Sequence, residues 1–377
     1  MEVKQFKVSN LDDCKKIDDI NADWVLCFGA KSLLEDNNII SSLLQKFKTA
    51  EIAFCSTAGE ICQKCGVSEN CIVISAIKFA QTKLKSTIIN IKDFSDSYEA
   101  GKSIAKKLND KDLKHIFILS DGSKVNGSEL VKSMNNFFKS KVVITGGLAG
   151  DGTKFDYTLT SLNDYPSRGN IIAFGLYGDN IQITHGTMGG WDSFGLSKIV
   201  TKSVGNELFE IEGVNALELY KEYLGKYSTG LPGTALLFPL AVRMNDEGDV
   251  VVRTILSINN ERKSMIFAGD IPEGSRVRFM LANFDRLIDA AGSAARSCMI
   301  KDTDTLPQLA ILISCVGRKV VLGGRVDEEV DAVMSVFGPK VPITGFYSYG
   351  EISPLNKGTS CQLHNQTMTI TCFQEII

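Results

Sequence analysis

The chain has 377 residues, with 41 basic and 44 acidic side chains, a net charge of −3 at neutral pH and 44% hydrophobic residues. The length exceeds one ordinary hydrophobic core and predicts two domains, and the balance of apolar to charged residues excludes a disordered chain. No dense run of Lys and Arg offers a nucleic-acid patch, the longest apolar runs are strand-length and exclude a helical membrane span, and residues 1–10 lack the charged-then-apolar pattern of a signal sequence. A cytoplasmic protein is therefore expected.

In chain order, residues 24–29 (WVLCFG) read as a strand. A helix-period segment follows, with Leu33, Leu34, Ile39, Ile40, Leu43, Leu44 and Phe47 apolar. Residues 52–55 form a second apolar run that ends in the small-residue loop STAGE at 56–60, and residues 71–77 (CIVISAI) read as another strand. The order then returns. Residues 115–119 are a strand, 128–138 a helix with Ser128 as N-cap, and 142–145 a strand ending in GGLAGDG at 146–152. Residues 170–176 and 181–185 are expected to form a hairpin around Gly178 and Asp179.

Residues 216–224 and 284–295 follow helical patterns, while 250–256 and 263–267 look like paired strands. A third copy of the unit closes the chain: strand 309–315, helix 327–337, strand 341–344, the loop GFYSYGE at 345–351 and the strand 364–373.

Strand, helix, strand, Gly-rich loop, strand is thus written three times, and the β-α-β order implies parallel pairing of the first two strands in each copy. The expected fold class is α/β, with mixed sheets built from repeated β-α-β-loop-β units in two domains. The boundary falls near Gly190, Trp191 and Gly195, giving residues 1–190 with two copies and 191–377 with the third.

In open α/β sheets ligands bind beyond the carboxyl ends of parallel strands, where the three loops lie. Their glycines permit close backbone approach, and their hydroxyls and N–H groups supply hydrogen bonds. Ser56, Thr57, Glu60, Gly147, Asp151, Tyr347, Tyr349 and Glu351 are the candidate ligand-binding residues. Glu60 and Glu351 follow Gly59 and Gly350 in equivalent places, where a carboxylate either pairs with a ligand amine or caps a local turn. None of the loops is a phosphate motif. The three histidines, His115, His185 and His364, stand apart from any Ser or Cys elbow motif, and G-x-S-x-G is absent. No enzyme is expected. The competing enzymatic reading makes Asp121, Asp151 and Glu351 general acid–base groups.

The sequences CSTAGEI (55–61), SDGSKVNGSELV (120–131) and GGLAGD (146–151) resemble the N-terminal part of FIST domain proteins. GGWDSFG (189–195), YKEYLG (220–225), GFYSYGEISP (345–354) and HNQTMTIT (364–371) resemble their linker and C-terminal part. The resemblance runs across almost the whole chain in the family's order. It implies a sensory input module for small ligands such as amino acids, with a subset that resembles haem-binding nitric oxide sensors regulating a histidine kinase or a cyclic-di-GMP enzyme. Since the sequence contains no output segment, the resemblance implies signal transduction through a partner on a separate polypeptide.

A haem sensor needs an axial ligand in an apolar pocket. By strand alternation His185 shares a face with Ile181 and Ile183, and His364 shares one with Gln366, Met368 and Ile370. Both are haem-ligand candidates, alongside the reading of each as a hydrogen-bonded sheet histidine. His115, after Lys114, is expected at the surface, and no C-x-x-C-H motif offers covalent attachment.

Ten cysteines in a reducing compartment are expected to be thiols or metal ligands. Cys27, Cys315 and Cys372 read as small buried hydrophobes. Cys62, Cys65 and Cys71, with Cys55, depart from the family's pattern. They could ligate zinc, or the C-x-x-C pair Cys62–Cys65 could form a reversible disulfide that senses redox state beside Glu60. The leading reading is a ligand-binding sensor. The alternatives are an amino-acid sensor without haem and a thiol or zinc redox sensor.

Overall fold

The runs without polar alternation become central strands, apolar on both faces. Trp24–Gly29 and Leu309–Cys315 are buried throughout, and Leu113–Ser120 is buried from His115 onward. The computed structural model describes residues 1–18, 21–243, 249–300 and 305–376. In it each of these strands pairs in parallel with the strand that follows its helix. The partners are Glu51–Ser56, Ile343–Ser348 and Val143–Leu148, respectively. The threefold recurrence of strand, helix, strand and loop holds, and the fold is mixed α/β.

The repeated unit is larger than the sequence pattern suggested. Each copy begins with a further strand: Glu2–Val8, Lys83–Asn90 or Ile181–Met188. This leading strand pairs with the unit's last strand, Ile72–Lys78, Asn170–Tyr177 or Met368–Glu375, which lies antiparallel against the first of the parallel pair. The hairpin expected around Gly178 and Asp179 is therefore not formed. Asn170–Tyr177 closes the second unit while Ile181–Met188 opens the third, and the two lie in different sheets.

The remaining edge of each sheet is closed by a neighbouring unit. Thr160–Leu162 of the second unit pairs with Glu51–Ser56 of the first. The hairpin Gly350–Pro354 and Cys361–His364 of the third pairs with Val143–Leu148 of the second. The hairpin Glu60–Cys62 and Gly66–Ser68 of the first pairs with Ile343–Ser348 of the third. The exchange is cyclic, so the three units stand in pseudo-threefold relation.

The inner faces of the three sheets share one core. Trp24 of the first sheet meets Phe117 and Phe174 of the second at 5.5 and 5.1 Å between ring centroids, and Phe373 of the third at 5.9 Å. Helices cover the outer faces, each with its own apolar layer: Asn37–Lys46 on the first sheet, Ser97–Leu108 and Gly127–Phe138 on the second, Phe284–Cys298 and Val326–Phe337 on the third.

Between Ile181–Met188 and Phe284–Cys298 the chain leaves this body to build an eight-stranded antiparallel sheet. It runs from Asp192–Val204 to Arg276–Leu281, carries the helix Ala216–Leu224 and has its own core. The boundary expected near Gly190 falls where this sheet begins, but residues 284–376 return to the threefold body instead of continuing the second domain.

Local chemistry explains the other differences. The first helical segment is two helices, Lys31–Leu34 and Asn37–Lys46, because the Asp36 carboxylate caps the second. Asn126, not Ser128, caps Gly127–Phe138, accepting from Glu129 N–H at 3.1 Å. Residues 250–256 divide into Val250–Arg253 and Ile255–Asn259, each with a different partner. The strand expected over 364–373 breaks at residues 365–367, where Gln366 takes φ of 61°, because the chain passes there from the second sheet to the third.

Gly146 and Gly345 occupy equivalent places in the second and third units. A Cβ at either would lie 2.0 or 1.9 Å from the carbonyl oxygen of Ile118 or Leu312 on the neighbouring parallel strand. Gly345→Ala is expected to destabilise the chain by about 3 kcal/mol or more. Gly152→Ala, with φ of 75° and open space around it, should cost only about 1 kcal/mol. Thermal or urea unfolding of the two variants checks the ranking, and equal losses would contradict the close-approach argument.

Candidate functional site

The parallel strands of all three units end on one face of the core, so their following loops meet there. The backbones interlock: Ala58 N–H donates to Tyr347 O and Tyr347 N–H to Gly59 O, both at 2.8 Å, and Gly150 N–H donates to Ser56 O at 2.9 Å. Two cavities open beside this knot, and they adjoin at Asp156 and Val316.

The first is a polar cleft of about 850 Å³. Lys31, Glu60, Asp151, Tyr157 and Lys319 line it. Lys31, Asp151 and Lys319 are already paired within the chain. Asp151 accepts from Lys31 Nζ at 3.0 Å, from the Tyr349 hydroxyl, and from the N–H groups of Phe155, Asp156 and Tyr157. Burial alone would raise its carboxyl, but the Tyr349 and Lys31 bonds outweigh that and hold it below the ordinary carboxylate value. Lys31 lies 3.6 Å from the Tyr157 ring centroid, and Arg168 covers the same ring at 3.5 Å. Lys319 donates to Ala58 O at 2.7 Å and pairs with Glu69.

The second cavity, about 480 Å³, lies between the threefold body and the inserted sheet. The body contributes Leu148, Tyr349, Val316 and Asn365, and the inserted sheet contributes Thr254, Leu256 and Phe267. Leu148, Val316, Leu256 and Phe267 give it apolar surface beside polar Ser123, Asn126 and Asn206, and Phe155 stacks on Tyr349 with centroids 4.7 Å apart. Asn365 is 0% exposed, and neither its Oδ1 nor its Nδ2 has a hydrogen-bond partner. Thr254 Oγ1 and Gln366 Oε1 are likewise buried without partners. Unpaired buried polar groups cost on the order of 1–3 kcal/mol each, and at this cavity a bound molecule would be in a position to offer them partners.

The two bodies are tied around this cavity. Buried Arg253 of the inserted sheet donates to Leu363 O at 2.8 Å and to Asp270 O at 3.2 Å, and Trp191 Nε1 donates to Gln366 O at 2.8 Å. Arg318, fully buried and paired with Glu329, donates to Leu287 O and Gly189 O on the flank of the junction.

The eight residues expected to bind ligand are not gathered into one pocket. Thr57, Glu60 and Asp151 line the polar cleft and Tyr349 lines the cavity between the bodies. Ser56, Gly147, Tyr347 and Glu351 line neither and belong to the framework. Ser56 Oγ accepts from Leu159 N–H at 2.9 Å, and a Cβ on Gly147 would strike Ile313 at 2.8 Å. The Tyr347 hydroxyl donates to Glu329 at 3.1 Å. Glu351 accepts from Ser348 Oγ at 2.8 Å and from both N–H and Oγ1 of Thr367. Glu60 repeats that arrangement by accepting from Thr57 Oγ1 at 2.5 Å, three residues before it, so the capping alternative describes both glutamates. Asp121, an acid–base candidate, is likewise consumed: Oδ1 accepts from Ser123 and Lys124 and Oδ2 from Gly169 N–H.

The histidines are all buried. His115, expected at the surface, is 0% exposed because its strand is central to the second sheet, and its Nε2 lies 3.0 Å from Thr145 Oγ1. His364 donates from Nε2 to Ser353 O at 2.8 Å, and His185 sits on Ile181–Met188 with Nδ1 unpartnered. Neither His185 nor His364 borders either cavity, so the residues present do not fit a haem at this face.

The four cysteines do not converge either. Cys62 and Cys65 are joined in a disulfide, with Cys71 packed beside them and its Sγ 3.5 Å from Glu60 Oε2. Cys55 instead lies in the central core. Among the described residues no three His, Cys, Asp or Glu side chains are grouped as a metal would require, and the expected zinc set is not assembled.

Asn365, Thr254 and Gln366 escaped the sequence reading. The first and third lay inside an apparently continuous strand, and the second comes from the inserted sheet.

Burial raises Glu60 to about 7 and Glu351 to about 8, against the hydrogen bonds each accepts. Their protonated forms are favoured in the fold, so this stabilisation is present below the ordinary carboxylate value and is lost as pH rises through about 7 and about 8. Burial holds His115 at about 3 and His364 at about 4, so their linkage acts below 6.5. The melting temperature is therefore expected to fall between pH 6.5 and about 8, less steeply in Glu351→Gln. A wild-type profile that is flat across that window would contradict the assignment.

Family models match the chain twice: the FIST N domain over residues 23–214 and the FIST C domain over residues 216–354. No curated protein matches it. Among the described residues no helix is long and apolar enough to cross a membrane.

Proposed function

The chain belongs to the FIST family, whose domains are sensory modules that bind small ligands, and from that premise we propose that it takes its ligand in the cavity between the threefold body and the inserted sheet. The observation that carries this reading is the buried side-chain amide of Asn365, unpartnered at both polar atoms on the wall of a cavity of ligand size. The polar cleft beside it is the weaker choice, because Lys31, Asp151 and Lys319 already satisfy one another or the backbone.

A ligand held by both bodies favours one relative arrangement of them, since it binds only where both walls are present. Such a change is the signal, passed in the cytoplasm to a separate protein of the histidine kinase or cyclic-di-GMP enzyme class. The family resemblance supports that output, and the acidic side chains consumed by the chain's own hydrogen bonds favour sensing over turnover.

Ala268, half-buried on the inserted-sheet side, lines the cavity, and Ala268→Phe would fill it. A small-molecule extract of the producing cells is expected to raise the melting temperature of the wild-type protein and not of Ala268→Phe. Saturation at a hundredfold over Kd corresponds to about 2.7 kcal/mol. A shift that survives in Ala268→Phe would move the site to the polar cleft.

A second reading, redox sensing, rests on the Cys62–Cys65 disulfide. It lies on the hairpin that the first unit gives to the third, beside Cys71 and Glu60. The other eight cysteines are buried thiols. Native alkylation is expected to modify no cysteine before mild reduction and only Cys62 and Cys65 after it, with no gain in Cys62→Ser plus Cys65→Ser. Equal labelling before and after reduction would remove this reading.

A further inference from the structure

The chemistry of the cavity wall narrows what can occupy it, and this step rests on the assignment of the cavity as the ligand site. Its buried polar atoms are all neutral: the Asn365 carbonyl and NH2, the Thr254 hydroxyl and the Gln366 carbonyl, all unpartnered. Gln366 is placed against this wall, since its amide lies where a Cβ on the cavity residue Gly317 would be, within 2.5 Å. The charges that border the cavity are Lys124, Asp156 and Asp270, two acids to one base. Lys124 is exposed, and Asp270 already accepts from Asn126 Nδ2 at 3.3 Å. One buried cation stands at the wall: Arg253 Nε lies 2.9 Å from where a Cβ on the cavity residue Gly269 would be, and its Nε and Nη1 already donate to Asp270 O and Leu363 O.

A carboxylate or phosphate driven to the Asn365 wall would lose its water for a guanidinium whose Nε and Nη1 are already spent on backbone carbonyls, and would face the Asn365 and Gln366 carbonyl oxygens. A free ammonium there would lack a buried carboxylate. An Asn side chain instead presents an acceptor and a donor side by side in one plane. Its complement is a group with a carbonyl and an N–H on one edge, which can close two hydrogen bonds at once. The surrounding apolar surface, Leu148, Leu256, Phe267 and Tyr349, suits the body of a flat, uncharged molecule.

We infer that the cavity recognises a neutral ligand through an amide edge, a primary carboxamide or a lactam such as a nucleobase carries, closed on the Asn365 side chain. A free amino acid zwitterion is not matched to this wall.

Ligand-observed NMR with nicotinamide and uracil as probes tests this, with nicotinate and L-leucine as charged counterparts. Binding of nicotinamide or of uracil to the wild-type chain supports the class and distinguishes a carboxamide from a lactam source. That binding is expected to weaken on the order of tenfold or more in Asn365→Leu and measurably in Thr254→Val. Asn365→Leu is expected to melt no lower than wild type, because it removes an unpaired buried amide, so lost binding would not reflect lost folding.

Binding of nicotinate or L-leucine that depends on Asn365 overturns the class. So does the absence of amide binding, or amide binding unchanged in both variants. If Ala268→Phe still abolishes the shift produced by cell extract, the class alone has failed and the cavity remains the ligand site. If that shift persists, the site assignment has failed as well.

Discussion

The fold depends on closing the free edge of each parallel strand pair with a strand from another unit. A β-α-β unit leaves the second parallel strand with unpaired N–H and C=O groups, which are costly when buried and hazardous when exposed. Here Glu51–Ser56, Val143–Leu148 and Ile343–Ser348 each meet a strand from a neighbouring copy, in a closed cycle. No unit can complete its sheet alone. The same exchange turns the three inner faces toward one another, so Trp24, Phe117, Phe174 and Phe373 share a single core.

The site follows from that constraint. Strand exchange brings three loops to one end of the core, where they spend their polar groups on each other. Glu60, Asp151 and Glu351 are held by hydroxyls, N–H groups and Lys31 of the chain itself. The third unit must also hand its hairpin to the second sheet and return its last strand to its own. The turn that makes this possible, residues 365–367, leaves Asn365 on the cavity wall and Gln366 O under Trp191. The inserted sheet leans on that turn through Arg253 and Leu363 O. The unpaired amide thus sits at the junction where a ligand would couple the two bodies.

The threefold repeat was legible because central strands are written as apolar runs and helices as 3.6-residue patterns, and both are local signals. The place of each unit's loop was legible for the same reason. Strand exchange was not, because the short donated strands Glu60–Cys62 and Thr160–Leu162 carry no pattern that names a partner. Nor did alternation around Gly178 reveal that its flanking strands belong to different sheets. Small residues, hydroxyls and acids after a strand suit a ligand loop and a loop that grips other loops equally well. Hence Tyr347 and Glu351, which matched the expected chemistry, serve the framework, while Asn365 was hidden inside what looked like one strand. The pairing of Cys62 with Cys65 was open in the sequence, since the spacing permits a disulfide or half of a zinc site, and geometry separates the two by keeping Cys55 in the central core.

The most direct test of the account is a crystal structure of the protein purified with the small molecule it retains from its cells. That molecule is expected between the threefold body and the inserted sheet, with a carbonyl and an N–H of the ligand on the Asn365 side chain. A molecule held instead in the polar cleft between Lys31 and Lys319, with the Asn365 amide still unpartnered, would contradict it.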